Sequence, residues 1–268
     1  MLPNPSSGGR ARGIVAAALC VVVFALAGCS HRKLAQAGPV ALYKQARHAL
    51  DEYDYSAAIK RYERLTAVYP FSAQAHQAQL DLIYAYYRAG ETDSAVDAIN
   101  TFIRQNPASP RVDYAYYMEG LVYFPKQANP LERLFGAHLS KRPPHDIVKS
   151  FDAFRTVVTQ YPHSAYAYDA RQRMLYLRDR LAAYNAYVAR YYLRRGAYVA
   201  AVRRADLVLE NYAGAPAAKD ALAIMIISYE RLGLKPLAAE ARRVYAANFR
   251  GKVAQVAAAT HQHWWHVW

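Results

Sequence analysis

The stretch Gly90 to Pro107, GETDSAVDAINTFIRQNP, recurs along the chain with the same internal spacing, and that recurrence constrains the fold more than any other feature. Within it Ala95, Ile99 and Phe102 share one face of a helix, after a glycine that opens the preceding turn and before a proline that ends the helix. The same offsets appear in Tyr53 to Pro70, His145 to Pro162, Gly196 to Ala213 and Gly233 to Arg250. Five residues on from each start stand Ala58, Ala95, Ser150, Ala201 and Ala238, all small. One residue further stand Ile59, Val96, Phe151, Val202 and Ala239, all apolar. Tyr86, Tyr192 and Tyr229 each precede a turn glycine by four residues, so the partner helix repeats as well.

This is the tetratricopeptide pattern, and it predicts an all-α chain: a tetratricopeptide-like helical-hairpin solenoid of about five repeats. The small residue is needed where the two helices of a hairpin cross closely, because a larger side chain would wedge them apart. The second repeat is the clearest, its first helix running from about Ser72 to Ala89 with Leu82 and Tyr86 on the packing side. The third is interrupted: its first helix follows Asp113, Tyr116, Gly120 and Tyr123, but its second begins only near His145. The insertion, at about 124–144, carries Leu131, Leu134 and Phe135 and reads either as a surface loop that binds a partner or as a packed loop that covers a neighbouring repeat. From Ala165 to Arg194 nothing breaks the helical period, so one long helix joins the first three repeats to the last two.

At the N-terminus, Arg10 and Arg12 precede the apolar run Ile14 to Ala27, too short to span a bilayer comfortably, which ends in Leu26-Ala27-Gly28-Cys29. This quartet has the form of a bacterial lipobox and makes Cys29 the lipidation site. Cys20 lies within the run and leaves with it, so the processed chain has no disulfide and depends on burial for stability. The expected organisation is a signal peptide over 1–28, a lipidated tether over 29–39, N-terminal repeats over 40–162, the long helix and C-terminal repeats over 163–250, and a tail over 251–268. A formal charge of +14 points to acidic lipid or acidic partners. Nucleic acid, the other usual partner of such a charge, does not fit an exported chain.

No phosphate loop, nucleophile elbow or zincin motif is present, and Glu119, Asp146, Asp152 and Asp179 are scattered along helical faces. The chain is therefore expected not to be an enzyme and to need no cofactor; a helical-solenoid lytic transglycosylase would require a catalytic domain for which the repeats leave no room. His261, His263 and His266 in the tail HQHWWHVW lack a second ligand cluster, so no metal is expected, and the tryptophans suit packing on the last repeat or on lipid headgroups. Binding remains. First-helix residues that turn away from the core line a groove: Tyr43, Arg47 and Leu50 in the first repeat, and Gln77, Leu80, Tyr84, Tyr87 and Arg88 in the second. Aromatic rings beside arginine suit an extended peptide that ends in an aromatic residue and a carboxylate.

The runs DLIYAYYRAG, AINTFIRQNP, YAYYMEGLVYF and ARQRMLYLRDRLAAYNAYVARYYLRRGAYVAAVRRA, together with the lipobox, resemble the BamD family of lipoproteins of the β-barrel assembly machinery. The resemblance extends from about Leu42 to Asn248 and includes helix surfaces as well as repeat positions. It implies a non-catalytic scaffold anchored at the periplasmic face of the outer membrane, with Ser30 after the lipidated cysteine consistent with that destination. It implies that the N-terminal repeats bind the C-terminal signal of unfolded barrel proteins. The C-terminal repeats then dock the periplasmic domain of BamA, alongside other lipoproteins of the machinery. The segment GAYVAAVRR carries the family's contact arginine at Arg204, next to Arg203, and Arg194 and Arg195 extend the same basic cluster. Where the family has an acid in an R-D-P segment this chain has Arg142-Pro143-Pro144. The alternative reading is another periplasmic tetratricopeptide lipoprotein, one that coordinates cell-envelope synthesis.

Overall fold

A computed structural model describes residues 37–125, 144–249 and Val253. The signal peptide, Cys29 and most of its tether, the insertion residues Leu131, Leu134, Phe135, Arg142 and Pro143, and the tail histidines and tryptophans lie outside the described residues. The described residues are helical, with no strand among them. In chain order the helices are α1 Pro39–Asp51, α2 Tyr55–Val68, α3 Ala73–Ala89, α4 Thr92–Gln105, α5 Val112–Val122, α6 His145–Gln160, α7 Ala167–Arg194, α8 Tyr198–Asn211, α9 Ala218–Arg231 and α10 Lys235–Asn248. They fall in two compact units, divided after Gly90.

The first unit holds α1 to α3. Asp54 caps α2 by accepting from the Ala57 amide at 3.0 Å, and Ser72 caps α3 by accepting from Ala75 at 3.1 Å, each satisfying a donor that the first helical turn leaves open. Helix α3 packs against both α1 and α2. Its termination shows the backbone reason for the recurring glycine: Gly90 sits at φ 78°, and Gly196 and Gly233 take φ 74° and 75° at the corresponding turns. In the first hairpin that slot is filled by Tyr53, which adopts φ 62°. A side chain in this region costs roughly 1–2 kcal/mol through the clash of Cβ with the carbonyl oxygen.

The second unit holds α4 to α10, each packed on the next in sequence, with α7 also touching α9. Helix α7 is a single helix of 28 residues. Its Leu177 belongs to a core with Phe154, Val157 and Ala170, whereas its Ala182, Ala186 and Ala189 belong to another with Ala201, Ala205 and Val208. The long helix thus bridges two cores, as its unbroken period predicts. A third cluster joins Leu222, Ala223 and Ile226 of α9 to Ala241 and Tyr245 of α10, and Val253 packs against it. The small position of the repeat is buried in all five copies: Ala58, Ala95, Ser150, Ala201 and Ala238. At the third copy, the Ser150 hydroxyl donates to the Gly120 carbonyl at 2.7 Å, so the helices approach closely and the buried hydroxyl is satisfied.

Candidate functional site

In the first unit the predicted groove residues divide into two groups. Tyr43 and Gln77 point to a buried carboxylate that the sequence reading had not singled out. Asp81, 8 % exposed, accepts from Tyr43 Oη at 2.7 Å, from Tyr62 Oη at 3.2 Å and from Gln77 Nε2 at 3.0 Å. Burial first, and then the neighbouring carboxylate, pushes the Tyr43 hydroxyl up to about 12 and the Tyr62 hydroxyl higher still. These residues tie α1, α2 and α3 together. Arg47 pairs with Asp51 one turn along its own helix, at 3.1 Å on an exposed face. Leu80 and Leu50 are corrections to the groove assignment: they are 4 % and 6 % exposed and belong to the core. A helix with neighbours on more than one side, as α3 has, buries a wider arc than a single hairpin face suggests.

Tyr84 and Arg88 form the second group. The exposed Arg88 guanidinium donates to Tyr84 Oη at 2.6 Å and lies over two rings, Tyr55 at 5.1 Å and Tyr84 at 5.6 Å. Tyr87 lies half-buried beside them on α3. Tyr55 was missed from the sequence because it lies on α2, outside the first-helix positions from which the groove was built.

In the second unit Arg194 and Arg195 are exposed at the C-terminus of α7, where positive charge complements the helix dipole, and Arg195 lies 5.3 Å from the Tyr191 ring centre. Arg203 is exposed on α8. Arg204 is half-buried and donates from Nη1 to Asn185 Oδ1 at 3.0 Å. Asn185, itself 7 % exposed, donates from Nδ2 to the Leu181 carbonyl at 2.8 Å. A neutral amide therefore holds the guanidinium in place without cancelling its charge.

The scattered acids do not converge. Asp152 pairs with Arg155 at 2.9 Å and Asp179 with Arg178 at 2.7 Å, while burial raises the Glu119 carboxyl, with Lys149 opposing the rise. Among the described residues no group of three or more His, Cys, Asp or Glu side chains is placed to hold a metal ion. Nor is any described helix long and apolar enough to cross a membrane.

The arrangement defines a class: helical hairpins that offer an arginine-aromatic patch in one unit and arginines on two packed helices, α7 and α8, in the other. Residues 35–244 match the family described as YfiO, outer membrane lipoprotein, and the chain belongs to that family. Curated relatives named outer membrane protein assembly factor BamD include one from Neisseria meningitidis serogroup A, 41 % identical over 208 residues, covering 78 % of each chain. Another, from Vibrio cholerae, is 37 % identical over 196 residues, covering 73 % of this chain and 81 % of its own. A solved structure of a Podosopora anserina putative kinesin light chain with TPR-like repeats is 15 % identical at a TM-score of 0.33, covering 82 % of this chain and 95 % of its own. The helical-hairpin architecture stands on the helices described above and not on that likeness.

Proposed function

We propose that this chain is a non-catalytic scaffold of outer-membrane protein assembly, held by a lipid on Cys29 at the periplasmic face of the outer membrane. Its first unit binds the C-terminal signal of unfolded barrel proteins at Tyr84, Tyr87 and Arg88, with Arg47 on the neighbouring helix. Its second unit docks the periplasmic domain of BamA through Arg194, Arg195, Arg203 and Arg204, in company with other lipoproteins of the machinery. The observation that carries this reading is the 41 % identity to a curated assembly factor over most of both chains. The exposed guanidinium of Arg88, held over tyrosine rings, supports the peptide site, because it offers donors to a carboxylate beside a flat surface for an aromatic ring.

The test is capture of a synthetic barrel-protein C-terminal peptide by the full-length chain in detergent. Replacing Tyr84 and Tyr87 together by alanine is expected to weaken capture by about tenfold, the worth of one or two aromatic contacts. Undiminished capture would move the site away from this face of α3.

A further inference from the structure

Tyr53 occupies a slot in which the chain elsewhere uses glycine. Gly90, Gly196 and Gly233 fill the corresponding turns at φ 74° to 78°, and Tyr53 adopts φ 62° in the same role. The turn does not need this side chain: the backbone bonds Tyr53 N to Leu50 O at 3.1 Å and Asp54 N to Ala49 O at 2.9 Å close it, and the neighbouring Asp54 caps α2. Nor is the ring part of the core, because Tyr53 is 71 % exposed. A bulky residue kept in a strained, solvent-facing position, where glycine would relieve the strain, points to a use outside folding.

Its surroundings indicate that use. The Tyr53 ring meets the Tyr55 ring edge-on, at 6.4 Å between centres and 73° between planes. The Tyr55 ring in turn lies beneath Arg88, which also covers and bonds to Tyr84. Tyr55 Oη is buried and has no hydrogen-bond partner. Arg88 makes no ion pair with an acid among the described residues, so no described carboxylate neutralises it. Three rings and one unneutralised guanidinium thus adjoin at the surface of a single unit.

We propose that Tyr53 is a recognition residue which, with Tyr55, Tyr84 and Arg88, forms a site for a peptide presenting an aromatic ring beside a carboxylate. The site deepens, and rests on, the peptide-binding reading of this unit. The guanidinium receives the carboxylate through the donors that Tyr84 leaves free, and the exposed Tyr53 ring packs against the aromatic residue of the peptide.

The experiment uses full-length chain in detergent and a short fluorescent peptide ending in phenylalanine with a free carboxylate, its C-terminal amide serving as comparison. Tyr53→Gly is expected to melt at the same or a higher temperature and yet to bind about fivefold more weakly, while Tyr53→Phe retains binding because it keeps the ring. The amide is expected to bind more weakly than the acid to the unsubstituted chain. Unchanged binding by Tyr53→Gly, with Arg88→Ala losing it, would overturn the role of Tyr53 alone. If Arg88→Ala and Tyr84→Ala also bind normally, the peptide-binding reading itself fails. A lowered melting temperature in Tyr53→Gly would show the ring to be structural and would equally overturn the inference.

Discussion

Asp81→Ala is expected to destabilise the first unit by about 2–4 kcal/mol in urea or thermal unfolding, a large loss for one side chain on a three-helix unit. The alanine leaves the fully buried Tyr62 hydroxyl without its acceptor and takes the same acceptor from Tyr43 and Gln77. An orphaned buried polar group costs about 1–3 kcal/mol, whereas the half-buried Tyr43 and the exposed Gln77 recover part of their share by turning to water. Adding Tyr62→Phe to Asp81→Ala removes the orphan and is expected to restore a measurable part of the stability; strict additivity would show that the network is not coupled. The same geometry fixes an alkaline limit. Tyr43 is held at about 12 against an ordinary 10.0, and Tyr62 is raised further, so folding favours their protonated forms. Their contribution is fully present below pH 10; that of Tyr43 is lost as pH rises from 10 through 12, and that of Tyr62 over a range that extends higher. Tyrosinate absorbance followed alongside helicity should show ionisation of these hydroxyls coinciding with unfolding. Free titration near pH 10 in the folded chain would contradict the buried network.

Gly120→Ala is the second substitution with a large expected effect, and its sign runs against intuition. Alanine in a helix interior is ordinarily worth about 1 kcal/mol over glycine. Here a Cβ would stand 2.5 to 2.7 Å from three atoms of the Phe154 ring. That ring cannot swing aside, because it is 0 % exposed and is boxed by Tyr117 and Phe124 at centroid distances of 5.8 and 6.2 Å. The substitution also pushes on the backbone whose carbonyl accepts from Ser150. Overpacking of this kind costs about 1–3 kcal/mol, and the ring position puts the net effect toward the upper end. Phe154→Leu in the Gly120→Ala background frees space at Cβ and is expected to cost less than the same change alone. A stabilised Gly120→Ala variant would mean that α5 and α6 are not packed as described.

Much of the fold was legible because a helix period is a local property. The small residues at Ala58, Ala95, Ser150, Ala201 and Ala238 announced buried crossings before any partner was known, and all five are buried. The run to Arg194 announced a single long helix for the same reason. What could not be read was which helices meet a given face. Leu50 and Leu80 were placed on a groove because each repeat was read as an isolated hairpin, whereas α3 packs on two helices. Asp81 gave no signal of its own, since its partners Tyr43 and Tyr62 lie 38 and 19 residues away in sequence. Likewise resemblance singled out Arg204, but its amide clamp Asn185 is 19 residues distant and gives no local signal. Tyr53 entered the sequence reading only as the start of a repeat copy; its left-handed backbone and the adjoining Tyr55 and Arg88 are what set it apart.

On the proposed reading, the first unit takes barrel-protein substrates and the second docks BamA through its arginines. The decisive measurement is affinity purification of the full-length chain from detergent-solubilised outer membrane, wild type beside Arg204→Glu. BamA is expected with the wild-type chain, and the charge-reversed chain should keep its helical spectrum and recover at least about tenfold less BamA. Recovery of other envelope proteins without BamA, or equal recovery of BamA by both chains, would overturn the proposed docking.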